Sequence, residues 1–317
     1  MAMRLRISFA GFLGLLLLAA GIASAAGTAV IPGKFYVVGT GPAGPELATV
    51  RALEVIQAAD FIVCDKDMQK RFPEQLRGKP ILADPWKGMF DYKGKSWDKL
   101  PKLSPKEKKA FQTERIKIRE DLVRRIKEKL AQGKTVALLD SGDPCLFGPS
   151  HWFIEGFEPE QVEIIPGVGA FSAAMAALKK SSIPAYDTQF VLQTSPHFLT
   201  GSGNEVFNDL KKHPATLVFY MGLKEINRIM PLLKKAYSVD LPVAVVYNAG
   251  SRDKEKVVKG TLDTIAAKIA GEKESFLGLI IVGRCLEGKP YRSCLENLAG
   301  FFKRQRFKKT GYQPQKP

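Results

Sequence analysis

Three short segments rich in glycine and proline mark where this chain could hold a small ligand. They are residues 39–45 (Gly-Thr-Gly-Pro-Ala-Gly-Pro), Ser141-Gly142-Asp143-Pro144, and Pro166-Gly167-Val168-Gly169. Glycine lets a ligand approach main-chain N–H groups closely, and proline holds a loop in one shape. The first segment has the G-x-G-x-x-G spacing of a dinucleotide turn, but Pro45 follows its third glycine directly. Taken alone it reads equally as ordinary tight turns. Asp65 closes the apolar run 61–64 beside Lys66, a strand-end carboxylate that also suits a plain surface ion pair.

Each of these segments needs a strand to carry it. Residues 34–39 read as a short buried strand, and residues 46–59 as a helix with Leu47, Val50, Leu53 and Ile56 at spacings of three. Residues 61–64 form the next strand, so the chain opens with a strand–turn–helix–strand unit of a parallel α/β sheet. Residues 78–104 lack periodicity and read as a loop or insertion. Pro105 opens a charged helix to Ala131, with Phe111, Ile118, Leu122, Ile126 and Leu130 as its apolar stripe and Gly133 as its stop. Strands follow at 135–140, 162–165, 190–193, 216–220, 242–247 and 276–282. Helices are expected at 170–179, 204–212, 223–235 and 261–270. The boundary between two domains falls near 181–185, giving an N-terminal α/β domain over 33–184 with a basic insertion at 78–132. A C-terminal α/β domain over 185–290 and a basic tail over 291–317 complete the chain. Ligands of such sheets bind at the carboxyl ends of the strands, where all three loops stand.

Composition narrows the class. The 317 residues carry 48 Lys and Arg against 32 Asp and Glu, for a net charge of +16. An apolar fraction of 45% and a charged fraction of 25% are those of a globular protein, and four cysteines exclude a disulfide scaffold. Residues 87–134 hold 16 basic and 7 acidic side chains, so the charge is concentrated. That excess reads as the rim of a cleft, a membrane surface, or a solvated face with nothing specific. Arg4 and Arg6, the apolar stretch 7–22 and Ala23-Ser24-Ala25 make a secretory signal over 1–25, or failing cleavage a single-span anchor. Either puts the body of the protein outside the cytoplasm. Cys285 and Cys294 suit a disulfide or two buried thiols. Cys64 and Cys145 lie at strand-end loops, and no His/Cys spacing fits a metal site.

The combination of motifs is more specific than any one. Residues 37–65 follow V-x-G-x-G-P-x-x-P-E-L-x-T-x-x-A-x-x-x-I-x-x-A-D-x-I-x-x-D, followed by S-G-D-P-x-x-F-G and I-P-G-V-x-x-x-x-A-A-x-A-A. Residues 216–223 (TLVFYMGL), 245–250 (VVYNAG), 257–262 (VVKGTL) and 280–283 (IIVG) continue the order. This series resembles the tetrapyrrole methylase family. Residues 141–144 and 245–262 are most similar to precorrin-4 methyltransferases, and Y-M-G-L to uroporphyrinogen-III methyltransferase.

The resemblance implies two α/β domains, S-adenosylmethionine in the cleft between them, a homodimer, and methyl transfer to a tetrapyrrole carbon. Cofactor contacts then fall on Pro42, Ser141, Gly142, Asp143, Leu146, Gly169, Ala170, Met221 and Ala249, and Asp65 takes the place of a proton acceptor. His151 and His197, next to motif loops, would touch a substrate, ligate a metallotetrapyrrole or keep ordinary polar roles. Ala43-Gly44 stands where Gly-Asp is common in the family, and Gly169-Ala170 where a hydroxyl pair is common. These departures keep a second reading open, an exported non-catalytic protein that binds a tetrapyrrole or S-adenosylmethionine. A nucleic-acid methyltransferase rests on charge alone, and no nucleic-acid partner is expected.

Overall fold

Alternating apolar runs and amphipathic stretches build two five-stranded sheets. The computed structural model describes residues 33–95, 97–184, 188, 190–199 and 203–287. The expected signal segment over 1–25, the expected tail over 291–317 and Cys294 lie outside these. The first sheet contains β1 (Phe35–Gly39), β2 (Phe61–Val63), β3 (Ile81–Ala83), β4 (Val136–Asp140) and β5 (Val162–Ile165), in the order β3-β2-β4-β1-β5. All its pairings are parallel, with Gly39 opposite Asp140 at the shared carboxyl end of the central strands.

Both faces of this sheet are covered, as its continuously apolar strands require. Val38, Ile62, Ala137, Leu139 and Ile165 pack on one face against α1 (Val50–Ala58) and α2 (Lys66–Arg71). Phe35, Val37, Val63, Val136 and Leu138 pack on the other against α3 (Pro105–Ala131) and Phe153 of α4 (His151–Ile154). The Ser104 hydroxyl accepts from the Glu107 amide, and the Glu107 carboxylate accepts from the Ser104 amide. This capping box starts α3 at the expected Pro105.

Two expectations for this half need correction. The helix expected over 46–59 is divided into a short 3-10 turn, Pro45–Leu47, and α1, because Thr49 caps α1 by accepting from the Ala52 amide. The segment expected as a loop at 78–104 contributes β3, which pairs with β2, and a 3-10 stretch at Trp97–Lys102.

The second sheet runs β6 (Phe190–Thr194), β7 (Ala215–Phe219), β10 (Gly278–Val282), β8 (Pro242–Tyr247), β9 (Lys256–Thr261) in spatial order. It is mixed rather than parallel. Only β6 and β7 are parallel, while β10 is antiparallel to both neighbours and β9 is antiparallel to β8. β9 went unread as a strand because its residues are half-buried or exposed at a sheet edge. Leu217, Phe219, Val243, Val245, Ile280 and Val282 face α7 (Ile226–Lys234), α8 (Ile265–Ile269) and Phe207 of α6 (Gly203–Leu210). The opposite face packs on α5 (Ala170–Leu178) through Ala173, Ala174, Met175 and Leu178. The helix that follows the first sheet therefore covers the second, and its alanines allow close approach.

Candidate functional site

The site begins with a buried threonine. Thr40 leaves β1 with its amide and its hydroxyl both donating to the Asp140 carbonyl, each at 2.9 Å. One residue further, Gly41 and Gly142 exchange main-chain hydrogen bonds of 3.2 and 2.8 Å. Both adopt φ of +77°, a region that costs other L-residues energy. The third loop closes onto these two. A side chain at Gly39 would put its Cβ 2.5 Å from the Gly167 amide nitrogen, and one at Gly167 would collide with the Gly142 carbonyl oxygen. The three glycine-proline loops thus form one continuous floor.

Above that floor, the Asp143 carboxylate accepts from the Cys145 amide at 3.0 Å, and the Leu146 amide donates to the Asp143 carbonyl at 3.2 Å. Gly169 lies beside Asp143, since a Cβ on Gly169 would be 3.7 Å from that of Asp143. Gly169 is the N-cap of α5 and offers no side chain to the first-turn N–H groups, among them that of Ala170. Among these groups the Phe171 amide meets the Tyr220 hydroxyl from the facing sheet as its acceptor.

The second sheet supplies the facing wall. Gly250, at φ +86°, has Pro42 Cγ at 3.5 Å and Ala173 Cβ at 3.6 Å from where its Cβ would stand, with Leu47 closer still. This contact brings the buried Ala249 and the loop after β8 against the first loop. Beyond β7, the Tyr220 ring meets the Phe147 ring with centroids 5.2 Å apart. The Tyr220 hydroxyl donates to Gln193 Oε1 at 2.9 Å. Burial, and the nearby Asp143 carboxylate, push its pKa up to about 12. Met221 follows, 40% exposed at the rim.

Three residues here hold left-handed backbone without being glycine: Phe147 at φ +57°, Met221 at +54° and Asn248 at +45°. Such conformations persist where the surroundings over-determine them, and they gather at functional sites. A side chain gives no sign of its φ, so these positions could not be read from residue type.

The structure therefore brings together Pro42, Ser141, Gly142, Asp143, Gly169, Ala170 and Ala249. Leu146 stands in the turn after Asp143 and Met221 directly after Tyr220. Asp65 sits at the same sheet end, after β2. Its Oδ1 accepts from the Met68 amide at 2.7 Å, which makes it the N-cap of α2. His151 and His197 are separate: His151 opens α4, whereas His197 lies 3.3 Å from Ser195 Oγ after β6. Residues that composition did not single out include Thr40, Tyr220, Phe147 and Arg71, whose Nη1 reaches both Ala43 and Ser141. Asp140 was missed as well. Its buried carboxyl lies below the second loop, and desolvation raises its pKa against the opposing effect of Ser150, the Ser141 amide and His151.

Three of the ten cations on α3 form ion pairs. Arg124 pairs with Asp121 and Glu128, Arg119 with Glu155, and Arg125 with Asp121. Arg115 lies over the Trp152 ring, 4.6 Å from its centroid. Cys64 and Cys285 are buried, and burial pushes the Cys64 thiol up to about 12. Among the described residues no helix is long and apolar enough to cross a membrane.

Comparison with known proteins agrees with this architecture. Residues 34–266 match the family model of Tetrapyrrole (Corrin/Porphyrin) Methylases. The cobalt-precorrin-4 C(11)-methyltransferase of Methanocaldococcus jannaschii is 31% identical over 262 residues, covering 81% of this chain and 90% of that protein. The uroporphyrinogen-III C-methyltransferase of Bacillus subtilis is 31% identical over 261 residues, covering 79% and 90%. Among solved structures, a cobalt precorrin-4 methyltransferase of cobalamin biosynthesis shares the fold with a TM-score of 0.59 and 24% identity, over 80% of this chain and 96% of that one. The uroporphyrin-III C-methyltransferase of Thermus thermophilus complexed with S-adenosyl homocysteine does so at 0.54 and 21%, over 80% and 99%. The chain belongs to the tetrapyrrole methylase family.

Proposed function

We propose that the protein is an S-adenosylmethionine-dependent C-methyltransferase acting on a tetrapyrrole or a related metabolite. The observation that carries this reading is the convergence of three glycine-proline loops and two loops of the second sheet around Asp143. The residues suit the cofactor. The Cβ direction of Gly142 opens on space clear to 4 Å, and Gly169 at the start of α5 brings no side chain over the Ala170 amide. Ser141, Gly142, Asp143 and Leu146 would hold the cofactor from one side, Gly169 and Ala170 from beneath, and Pro42, Met221 and Ala249 across the cleft. When bound, S-adenosylmethionine supplies a methyl group already activated by its sulfonium.

The chain's own task is to hold donor and acceptor in line and keep water away. Asp143 orients polar groups through its second carboxylate oxygen. Phe147 and Tyr220 wall the cleft with apolar surface. Asp65, at the end of β2, is the residue we assign to take up the proton released from the methylated carbon.

Further parts of this proposal are a homodimer, export by residues 1–25, and a division at 184/185. Mass of the mature N-terminus after cell fractionation tests export, and light scattering tests the dimer. The central experiment is calorimetric titration of the purified protein with S-adenosylhomocysteine. Saturable binding is expected, and Asp143→Ala should lower affinity at least tenfold with little change in melting temperature. No heat of binding at millimolar ligand would sink the enzyme reading. A Soret band in the purified protein without such binding would favour a tetrapyrrole carrier.

A further inference from the structure

Arg71 stands at the last turn of α2, and its guanidinium reaches out of that helix to two of the three loops. Nη1 donates to the Ala43 carbonyl at 3.2 Å and to Ser141 Oγ at 3.2 Å. Nε lies 3.1 Å from Asp67 Oδ2, one helical turn back, an ion pair without hydrogen-bond alignment, so the two bonds of Nη1 set the direction of the group. The side chain is 24% exposed, so its charge is largely withdrawn from water and its bonds are screened less than those of a surface arginine.

The geometry has a direct consequence for the loops. Gly41 and Gly142 join the first and second loops through main-chain bonds, but glycine at φ +77° is also where a chain bends most easily. Ala43 and Gly44 carry no side chain able to hydrogen-bond, and the main-chain bond from the Leu47 amide to the Gly44 carbonyl ties the tip only to its own following turn, not to the second loop. Arg71 supplies that connection from outside. It takes the carbonyl of one loop and the hydroxyl of the other on a single amino group. Its own position is set at the far end of the same short helix, where Asp65 caps α2.

We infer that Arg71 is a positioning residue, a clamp that locks the first and second loops in the one shape that accepts the cofactor. The inference rests on the methyltransferase reading above. Arg71 acts through Ala43 and Ser141 rather than by touching the reacting atoms. Lysine, a compact charge on a flexible stem, would replace it only in part.

The test compares the wild type with Arg71→Met, Arg71→Lys and Ser141→Ala by two measurements. Amide hydrogen exchange is followed in peptides covering 39–47 and 140–146, and S-adenosylhomocysteine and 5′-methylthioadenosine are titrated by calorimetry. Arg71→Met should speed exchange at Gly41 and Gly142 about tenfold and weaken both ligands about tenfold, the size expected for losing a charge-assisted hydrogen bond. Arg71→Lys should recover part of each loss. Ser141→Ala, which leaves α2 intact, should show the same pattern in smaller measure and serves if Arg71→Met does not fold.

Unchanged exchange in both peptides would overturn the clamp. So would a loss confined to S-adenosylhomocysteine with methylthioadenosine unaffected, since that would place Arg71 on the ligand's carboxylate. If the wild type bound neither ligand, the methyltransferase reading would fall, while the exchange measurement would still decide whether Arg71 holds the loops.

Discussion

At the residue scale, Asp140 shows how burial turns a carboxyl into a pH-dependent element. It ends β4 beneath the second loop, 6% exposed, and desolvation raises its pKa from the ordinary 3.8. An acid raised in the folded state ionises first in the unfolded chain. The folded state is therefore penalised as pH climbs from about 3.8 through the folded value, and the penalty vanishes below. Asp140→Asn should raise the melting temperature at pH 7, and the gain should disappear on approaching pH 3.5. Thermal melts across that range check it, and a constant difference would show that folding does not raise the pKa of this carboxyl. Neither this carboxyl nor Arg71 was evident from residue type, because an arginine on a six-residue helix and an acid closing an apolar strand have many roles. Asp143 was legible, since Ser-Gly-Asp-Pro confines a carboxylate to a turn between a strand and a proline.

At the element scale, legibility followed the strength of local signals. Ser104, Pro105 and Glu107 mark a helix start by chemistry that acts within four residues, and α3 begins at the expected position. Ser104→Ala should cost about 1 kcal/mol of stability, measured by urea unfolding, with little effect on ligand affinity. A loss of ligand affinity matching the loss of stability would tie the basic insertion to the cleft. Where signals were weak, the reading failed. β3 has three residues and follows Lys79-Pro80, so only its pairing with β2 makes it a strand. Thr49 divided the expected first helix, because a cap inside a helical stripe is invisible to periodicity. In the second sheet, β9 alternates too weakly to be seen, yet its pairing with β8 extends over six residues.

At the scale of the molecule, the halves meet where glycine permits it. Gly250 combines φ of +86° with close contact to Leu47 of the 3-10 turn after the first loop and to Ala173 of α5. Gly250→Ala should cost roughly 1–2 kcal/mol from its left-handed backbone alone. Repacking of Leu47 should also weaken S-adenosylhomocysteine, read by the same calorimetry. An unchanged affinity would mean that the loop after β8 does not set the width of the cleft. The pairing of Phe147 with Tyr220 is a second bridge between the halves, made of residues 73 positions apart in the chain. The charge distribution is likewise a property of the whole. The net +16 suggested a strongly basic surface, but the cations of α3 are partly neutralised by Asp121, Glu128 and Glu155.

The sequence by itself determined the loops, most elements and the family, because turn residues, caps and apolar periodicity act over a few neighbours. Seven ordered motif blocks carried the rest. The tertiary structure alone decided which loops touch, that β10 runs antiparallel, and that α5 crosses to the second sheet. It also decided that Arg71 reaches two loops from a neighbouring helix. The physical reason is the same in each case. Those contacts join residues tens of positions apart, and their energies depend on burial and backbone geometry that exist only once both sheets have formed.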